Sequence, residues 1–181
     1  MTSPILLTLN PGSSTIKLGL YTIESDGPRR LGKGIIDLGH SPLLLQVTEG
    51  ATTADIAITA PVTDDLHGVI AEILDWLMQH FGVDAIAGVG HRVVHGGDGF
   101  TGCARVTEAS LSRIEALVPL APLHQPQSVR LIKAISHLMP DVPQTASFDT
   151  AFHRTQTDLV RRFALPRALF DQGIKRYGFH G

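Results

Sequence analysis

Residues 5–9, Ile-Leu-Leu-Thr-Leu, are a compact apolar run that stops at Asn10-Pro-Gly-Ser-Ser14, and a second apolar stretch, 16–23, resumes at once. That order predicts strand, tight polar turn, strand. Further short β-like runs at 31–36, 43–47 and 56–59 are separated by Gly, Pro and Asp at hairpin spacing. The first third of the chain therefore reads as a mostly antiparallel meander. From Leu66 the period changes: Leu66, Val69, Ile70, Ile73, Leu74, Leu77 and Met78 recur at three and four, with Phe81-Gly82 closing the pattern. This predicts an amphipathic helix of about four turns. Residues 85–94 predict a buried strand leading into His95-Gly-Gly97, 111–118 a second helix, and 119–126 a proline-rich elbow. Val129, Ile132, Ile135 and Leu138 form a third helical stripe ending before Pro140. Residues 145–148 predict a short strand running straight into Asp149, and 158–163 a weak helix. Strands followed by alternating helix and strand argue for an α/β layer on a mixed sheet.

Composition narrows the chemistry. The chain has 181 residues, 43% of them hydrophobic and 18% charged, which is enough apolar material for a packed core and too little charge to keep it unfolded. Lys and Arg total 15 against 17 Asp and Glu, a formal net charge of -2. That balance lacks the basic field expected of a nucleic-acid or anionic-membrane binder, so small-molecule chemistry is favoured, with no nucleic-acid and no membrane partner. The single Cys103 can form no intramolecular disulfide and no cysteine-based zinc site. This fits a reducing compartment, and a cytoplasmic location is expected. No window approaches the roughly eighteen uninterrupted apolar residues of a membrane span, and the N-terminus carries no basic region of a signal peptide.

Five segments hold the candidate chemistry. In Asn10-Pro-Gly-Ser-Ser-Thr-Ile-Lys17, Gly12 permits positive φ, the hydroxyls of Ser13 and Ser14 add donors, and Lys17 adds a charge from the next strand. Such a turn suits a phosphate. On composition alone a plain hairpin with polar tips is the favoured account of it, and the order of a Walker A loop is absent. In His91-Arg-Val-Val-His-Gly-Gly97, alternation sets His91, Val93 and His95 on one face and Arg92 and Val94 on the other. Arg92 at a strand end suits forked capture of a carboxylate or phosphate, or a structural ion pair. His91 and His95 have zinc-pair spacing only on a helix, which Val-Val followed by Gly-Gly argues against. Pro122-Leu-His-Gln-Pro126 holds His124 between two prolines, as a positioned donor or as a satisfied histidine in a rigid turn. Asp149 follows a strand, where α/β sheets place ligands; helix N-capping is its other role. The last segment is Arg176-Tyr-Gly-Phe-His-Gly181.

Taken in order, with Leu120-Ala-Pro-Leu-His-Gln-Pro126 and Phe148-Asp-Thr-Ala-Phe-His153 as the third and fourth, these segments closely resemble the acetate/propionate kinase family from residue 5 to residue 181. The resemblance implies a ribonuclease-H-like ATPase fold, of the kind shared with sugar kinases, Hsp70 and actin: a mixed sheet with flanking helices, here incomplete. Residues 1–150 would form the N-terminal domain and 151–181 the start of a second, nucleotide-binding and dimerisation domain. It further implies reversible transfer of the γ-phosphoryl of ATP to acetate, giving acetyl phosphate and ADP, with Mg²⁺ or Mn²⁺. Carried over position by position, Asn10 would help hold the metal, while Lys17, Ser13 and Ser14 would face the nucleotide phosphates. Arg92 would bind the substrate carboxylate, and Val94, Leu123 and Phe179 its methyl group. His124 and His180 would partner the transferring phosphoryl. Because acetate is already ionised at neutral pH, Asp149 is expected to orient metal-bound water or a neighbouring cation and not to act as a base toward it. Two positions depart from the family's usual residues: Thr15 replaces a serine and Gln125 an asparagine, keeping a hydroxyl and an amide. The alternatives are a kinase preferring propionate or another short-chain acid, and a non-catalytic nucleotide- or anion-binding module. A homodimer is expected of a full-length parent and is unsupported for this chain, which is expected to be inactive alone.

Overall fold

A computed structural model describes residues 5–83 and 85–179. The apolar runs form strands β1 (Ile5–Pro11), β2 (Thr15–Glu24), β3 (Gly27–Asp37), β4 (Leu44–Glu49) and β5 (Thr52–Ala57), followed by helix α1 (His67–Phe81). Then come β6 (Ile86–Val93), β7 (Ala104–Arg105), α2 (Glu108–Glu115), α3 (Gln125–Leu138) and β8 (Gln144–Phe148). Two short helices, α4 (Asp158–Arg161) and α5 (Arg167–Asp171), complete the described chain. One mixed sheet takes the order β5-β4-β3-β2-β1-β6-β8-β7. Its left half is the expected antiparallel meander, and β6 and β8 run parallel to β1. The central order β3-β2-β1-β6-β8, with β2 antiparallel to its neighbours, is that of a ribonuclease-H-like fold.

Alternation makes one face of the sheet apolar. Ile5, Leu7 and Leu9 of β1 and Ile16, Leu18 and Leu20 of β2 join Val69, Ile70, Ile73, Leu74 and Leu77 of α1 in one core, completed by Leu131, Ala134 and Ile135 of α3. Each Val, Leu or Ile side chain among them contributes on the order of 1.5–3 kcal/mol relative to exposure. Gly82 ends α1 with φ 61, and the amides of Gly82 and Val83 close on Gln79 and Met78, a left-handed cap that only glycine adopts without strain. A second core joins Val93, Ala146 and Phe148 at the strand ends to Ile114 of α2 and Val129 and Ile132 of α3.

The structure corrects several expected boundaries. Helix α2 begins at Glu108, ahead of the apolar stripe, because Thr107 and Ser110 form a reciprocal capping box. It stops at Glu115, and residues 118–120 tighten into a 3-10 turn around Pro119. The elbow is shorter than expected because α3 already starts at Gln125. Pro126 fits in its first turn, where no amide hydrogen is required. The two-residue β7 escaped the sequence pattern because pairing with β8 alone defines it.

Candidate phosphoryl-transfer site

The register of four neighbouring strands assembles the site. Asn10 lies directly opposite Lys17 on antiparallel β2. On the other side, Leu9 pairs with His91, which sets Arg92 beside Asn10, and Arg92 pairs with Ser147 on β8. Directly paired residues project to the same face of a sheet, so Lys17, Asn10, Arg92 and Ser147 form a row on the face opposite α1 and α3. Asp149 follows β8 at the end of that row, where the carboxyl ends of β1, β6 and β8 meet. Open α/β sheets bind ligands at such strand ends.

Arg92 and Asp149 form the centre. Arg92 Nε donates to Asp149 Oδ1 at 3.0 Å and its Nη2 donates to Oδ2, while Nη1 donates to Asn10 Oδ1 at 3.3 Å. The side chains of the ion pair are 30% and 20% exposed, shielded yet within reach of a solute. Asp149 opens a 3-10 turn at Asp149–His153 and makes no side-chain cap; Phe148 holds the cap position. The pairing with Arg92 has displaced the capping role.

The turn at 10–15 is closed by the Gly12 amide donating to Thr15 O at 2.6 Å. Gly12 does not take the positive φ expected of it; a Cβ is excluded because it would stand 2.8 Å from the Thr15 hydroxyl. Ser13 and Ser14 are exposed at the tip, and Gln127 Nε2 reaches Ser13 O at 3.5 Å, linking turn and α3. Lys17 is exposed on β2.

His124 occupies the N-cap position of α3 without a side-chain cap bond, its ring 5.6 Å from that of Phe179. Leu123 beside it is 77% exposed, whereas Val94 is 1% exposed. Alternation had set Val94 beside Arg92, but β6 ends at Val93 and Val94 is turned into the protein. His180 lies outside the described residues. The structure thus brings together Asn10, Lys17, Arg92 and Asp149, with His124 and Phe179 as a second pair.

His91 and His95 serve other partners. His95 Nδ1 accepts from the Gly97 amide at 3.0 Å. His91 Nε2 donates to Gln144 Oε1 at 2.8 Å, and Gln144 Nε2 donates onward to Ser136 Oγ at 2.9 Å. Burial pushes the His91 imidazole down to about 4 from an ordinary 6.5. The unfolded chain therefore binds this proton below about pH 6.5, while the native chain refuses it until about pH 4. A stability component on the order of 3 kcal/mol is present above pH 6.5 and is lost as pH falls toward 4. Urea unfolding should show the gap between wild type and His91→Gln narrowing over that interval; a constant gap would refute the assignment.

Sequence reading missed what holds the loop after β6. Gln125, 0% exposed, accepts from the His95 amide at 3.1 Å. It donates to His95 O at 2.8 Å and to Ile114 O at 3.2 Å. The Gly96 amide donates to Thr150 Oγ1 at 2.9 Å, and a Cβ on Gly96 would lie 2.9 Å from the Phe148 ring. The glycine pair was visible in the sequence; the amide and hydroxyl that secure it carried no local signal.

Mixed-sheet topology, with Lys17, Arg92 and Asp149 gathered at the strand ends, defines an α/β protein of the ribonuclease-H-like class. A model described as the Acetokinase family matches residues 5–181, and the chain belongs to that family. It is 41% identical to an acetate kinase of Rhodopseudomonas palustris over 99% of this chain and 46% of the relative. A propionate kinase of Citrobacter rodentium is 39% identical over 97% of this chain and 44% of its own length. Among solved structures, the Porphyromonas gingivalis acetate kinase superimposes with TM-score 0.84 at 31% identity, over 99% of this chain and 46% of that one. A Francisella tularensis propionate kinase gives TM-score 0.86 at 30% identity, over 98% and 45%. The chain spans somewhat less than half the length of these relatives and corresponds to their N-terminal portion.

Proposed function

We propose that this chain is the carboxylate-side portion of a kinase that reversibly transfers the γ-phosphoryl of ATP to acetate, giving acetyl phosphate and ADP. The observation that carries this reading is Arg92, gripped by Asp149 beside Asn10 and Lys17 at the parallel strand ends. A guanidinium has two two-pronged edges. Asp149 takes the Nε–Nη2 edge and Asn10 accepts from Nη1, so the plane of the guanidinium is fixed, and the guanidinium held in that plane would bind the substrate carboxylate. The bound acetate, already an anion, attacks the γ-phosphorus in line through one oxygen, so Asp149 has no proton to remove. Its work is to hold Arg92. Lys17 and the Ser13–Ser14 turn would face the phosphate chain, and His124 and His180 the transferring group, supplying the positive field and donors that phosphoryl transfer requires. Leu123 and Phe179 would border the methyl group.

Among the described residues no group of three or more His, Cys, Asp or Glu side chains is disposed to hold a metal ion. Mg²⁺ needs less, since it takes one or two protein oxygens and completes its shell with phosphate and water. The hard oxygens of Asp149 and Asn10, both within hydrogen-bond reach of Arg92, fit that role. When bound, the ion would neutralise charge on the β- and γ-phosphates. Mn²⁺ would suit the same oxygens.

Residues 1–150 would then be one domain and 151–181 the opening of a second, since the described chain after β8 adds no strand to the sheet. Homodimerisation is proposed for a full-length parent only. A cytoplasmic location is likewise part of this proposal; no helix among the described residues is long and apolar enough to cross a membrane.

The test is a chimaera carrying residues 1–181 in place of the matching segment of the Rhodopseudomonas palustris relative, assayed by hydroxamate trapping of acyl phosphate. Acid-dependent acyl phosphate and ADP formation is expected from the chimaera and none from the 181-residue chain alone. Propionate belongs in the same assay, because propionate kinases stand beside acetate kinases among the relatives. A folded chimaera inert toward both acids overturns the function, and robust turnover by the short chain alone overturns the assigned need for a second half.

A further inference from the structure

Residues 158–179 return to the loop after β6, and charge holds them there. Asp98, in that loop, pairs with Arg161 Nη2 through Oδ1 and with Lys175 Nζ through Oδ2 at 2.5 Å. The side chains of Arg161 and Lys175 are only 17% and 14% exposed. Arg161 Nε donates to Arg176 O at 3.4 Å, and the Arg176 amide donates to Arg161 O at 2.8 Å, closing both ends of the segment on one carboxylate. The next residue, Tyr177, has Arg161 5.5 Å and Lys175 5.9 Å from its ring centre, with its edge against His95 at 4.7 Å. Gly178, at φ +69, presses so closely on His153 that a Cβ would fall 2.4 Å from the ring. Phe179 then stands beside His124.

On the Asp98 side the packing is incomplete. A cavity of about 230 Å³ lies among Asp98, Thr150, His153, Arg161 and Tyr177. We propose that Asp98 is a positioning residue whose two-cation latch with Arg161 and Lys175 seats residues 175–179 over the end of β6 and so delivers Phe179 to His124. Phe179 and His124 matter for catalysis only on the functional reading above, but the latch is tested without turnover. A carboxylate shared by two half-buried cations also cancels their mutual repulsion, so removing it leaves two desolvated positive charges facing each other. Burial pushes the Asp98 carboxyl upward, yet its bonds to Lys175 and Arg161 outweigh this and hold it below its ordinary value, ionised at neutral pH.

The experiment is NMR of the 181-residue chain at neutral pH, reading the nuclear Overhauser contact between the His124 and Phe179 rings and amide exchange over 175–179. Asp98→Asn is expected to abolish the ring contact and accelerate exchange at least tenfold. Asp98→Glu is expected to restore both. The stacked rings of His67 and His137, 4.2 Å apart across α1 and α3, serve as the fold control and should not change. If Asp98→Asn does not fold, Lys175→Met removes one cation, leaves the loop intact and should weaken the contact. Retention of the His124–Phe179 contact in whichever of these variants folds overturns the proposal. So does loss of the His67–His137 signature in both, which would make Asp98 a general stabiliser.

Discussion

Replacing Arg92 by alanine is expected to lower acetate-dependent kcat/KM of the chimaera by about 10²–10³-fold, the usual loss when one preorganised charged donor is removed from a reacting centre. The loss should fall on both KM for the acid and kcat, because in the proposed reaction one side chain would both bind the carboxylate and align its oxygen for attack. Arg92→Lys should recover little. It keeps the charge, but an ammonium has no planar fork for Asp149 and Asn10 to hold in one orientation. Unchanged steady-state kinetics with acetate in Arg92→Ala would remove the residue from the site. Asp149→Asn gives the complementary reading: turnover falls, and no base-type pH dependence is lost with it, since no proton leaves acetate.

The second large effect concerns stability. Gln125→Ala is expected to destabilise the chain by about 3–5 kcal/mol, because it strands the His95 amide and carbonyl in the interior and leaves a cavity. Gln125→Asn retains the amide one methylene short of its partners and should cost about 1–3 kcal/mol. Chemical denaturation of the three chains measures both values. A shift within 0.5 kcal/mol for Gln125→Ala, the range of ordinary surface substitutions, would show that water replaces the amide. Gln125 holds the start of the loop at 95–98 through both backbone groups of His95, so Gln125→Ala should also loosen the Asp98 latch.

Much of the fold was legible because its signals are local. The switch from short runs to the three-and-four period at Leu66 announced α1, and Gly82 announced its end. The Asn10, Arg92, His124, Asp149 and Phe179 segments stood out through their glycines, prolines and polar residues at the ends of apolar runs. What escaped was each feature whose partner lies far along the chain. Periodicity marks the face of Gln125 and not the backbone it bridges. An aspartate after two glycines does not announce a pairing with Arg161 and Lys175. Strand β7 has no pattern of its own, and α2 started before its apolar stripe because a cap, and not hydrophobicity, set its origin.

The sequence by itself determined the mixed α/β class, the family and the residues at which chemistry had to be sought, because periodicity, turn residues and ordered motifs are properties of short stretches. Only the tertiary structure decided that Asp149 holds Arg92 and caps no helix, that Val94 faces inward while Asn10 and Lys17 share the open face with Arg92, and that Asp98 anchors the segment leading to Phe179. Those outcomes depend on strand register and on where side chains distant in sequence meet. A shift of one residue in the pairing of β1 with β6 would have turned Arg92 away from Asn10 without altering any local signal.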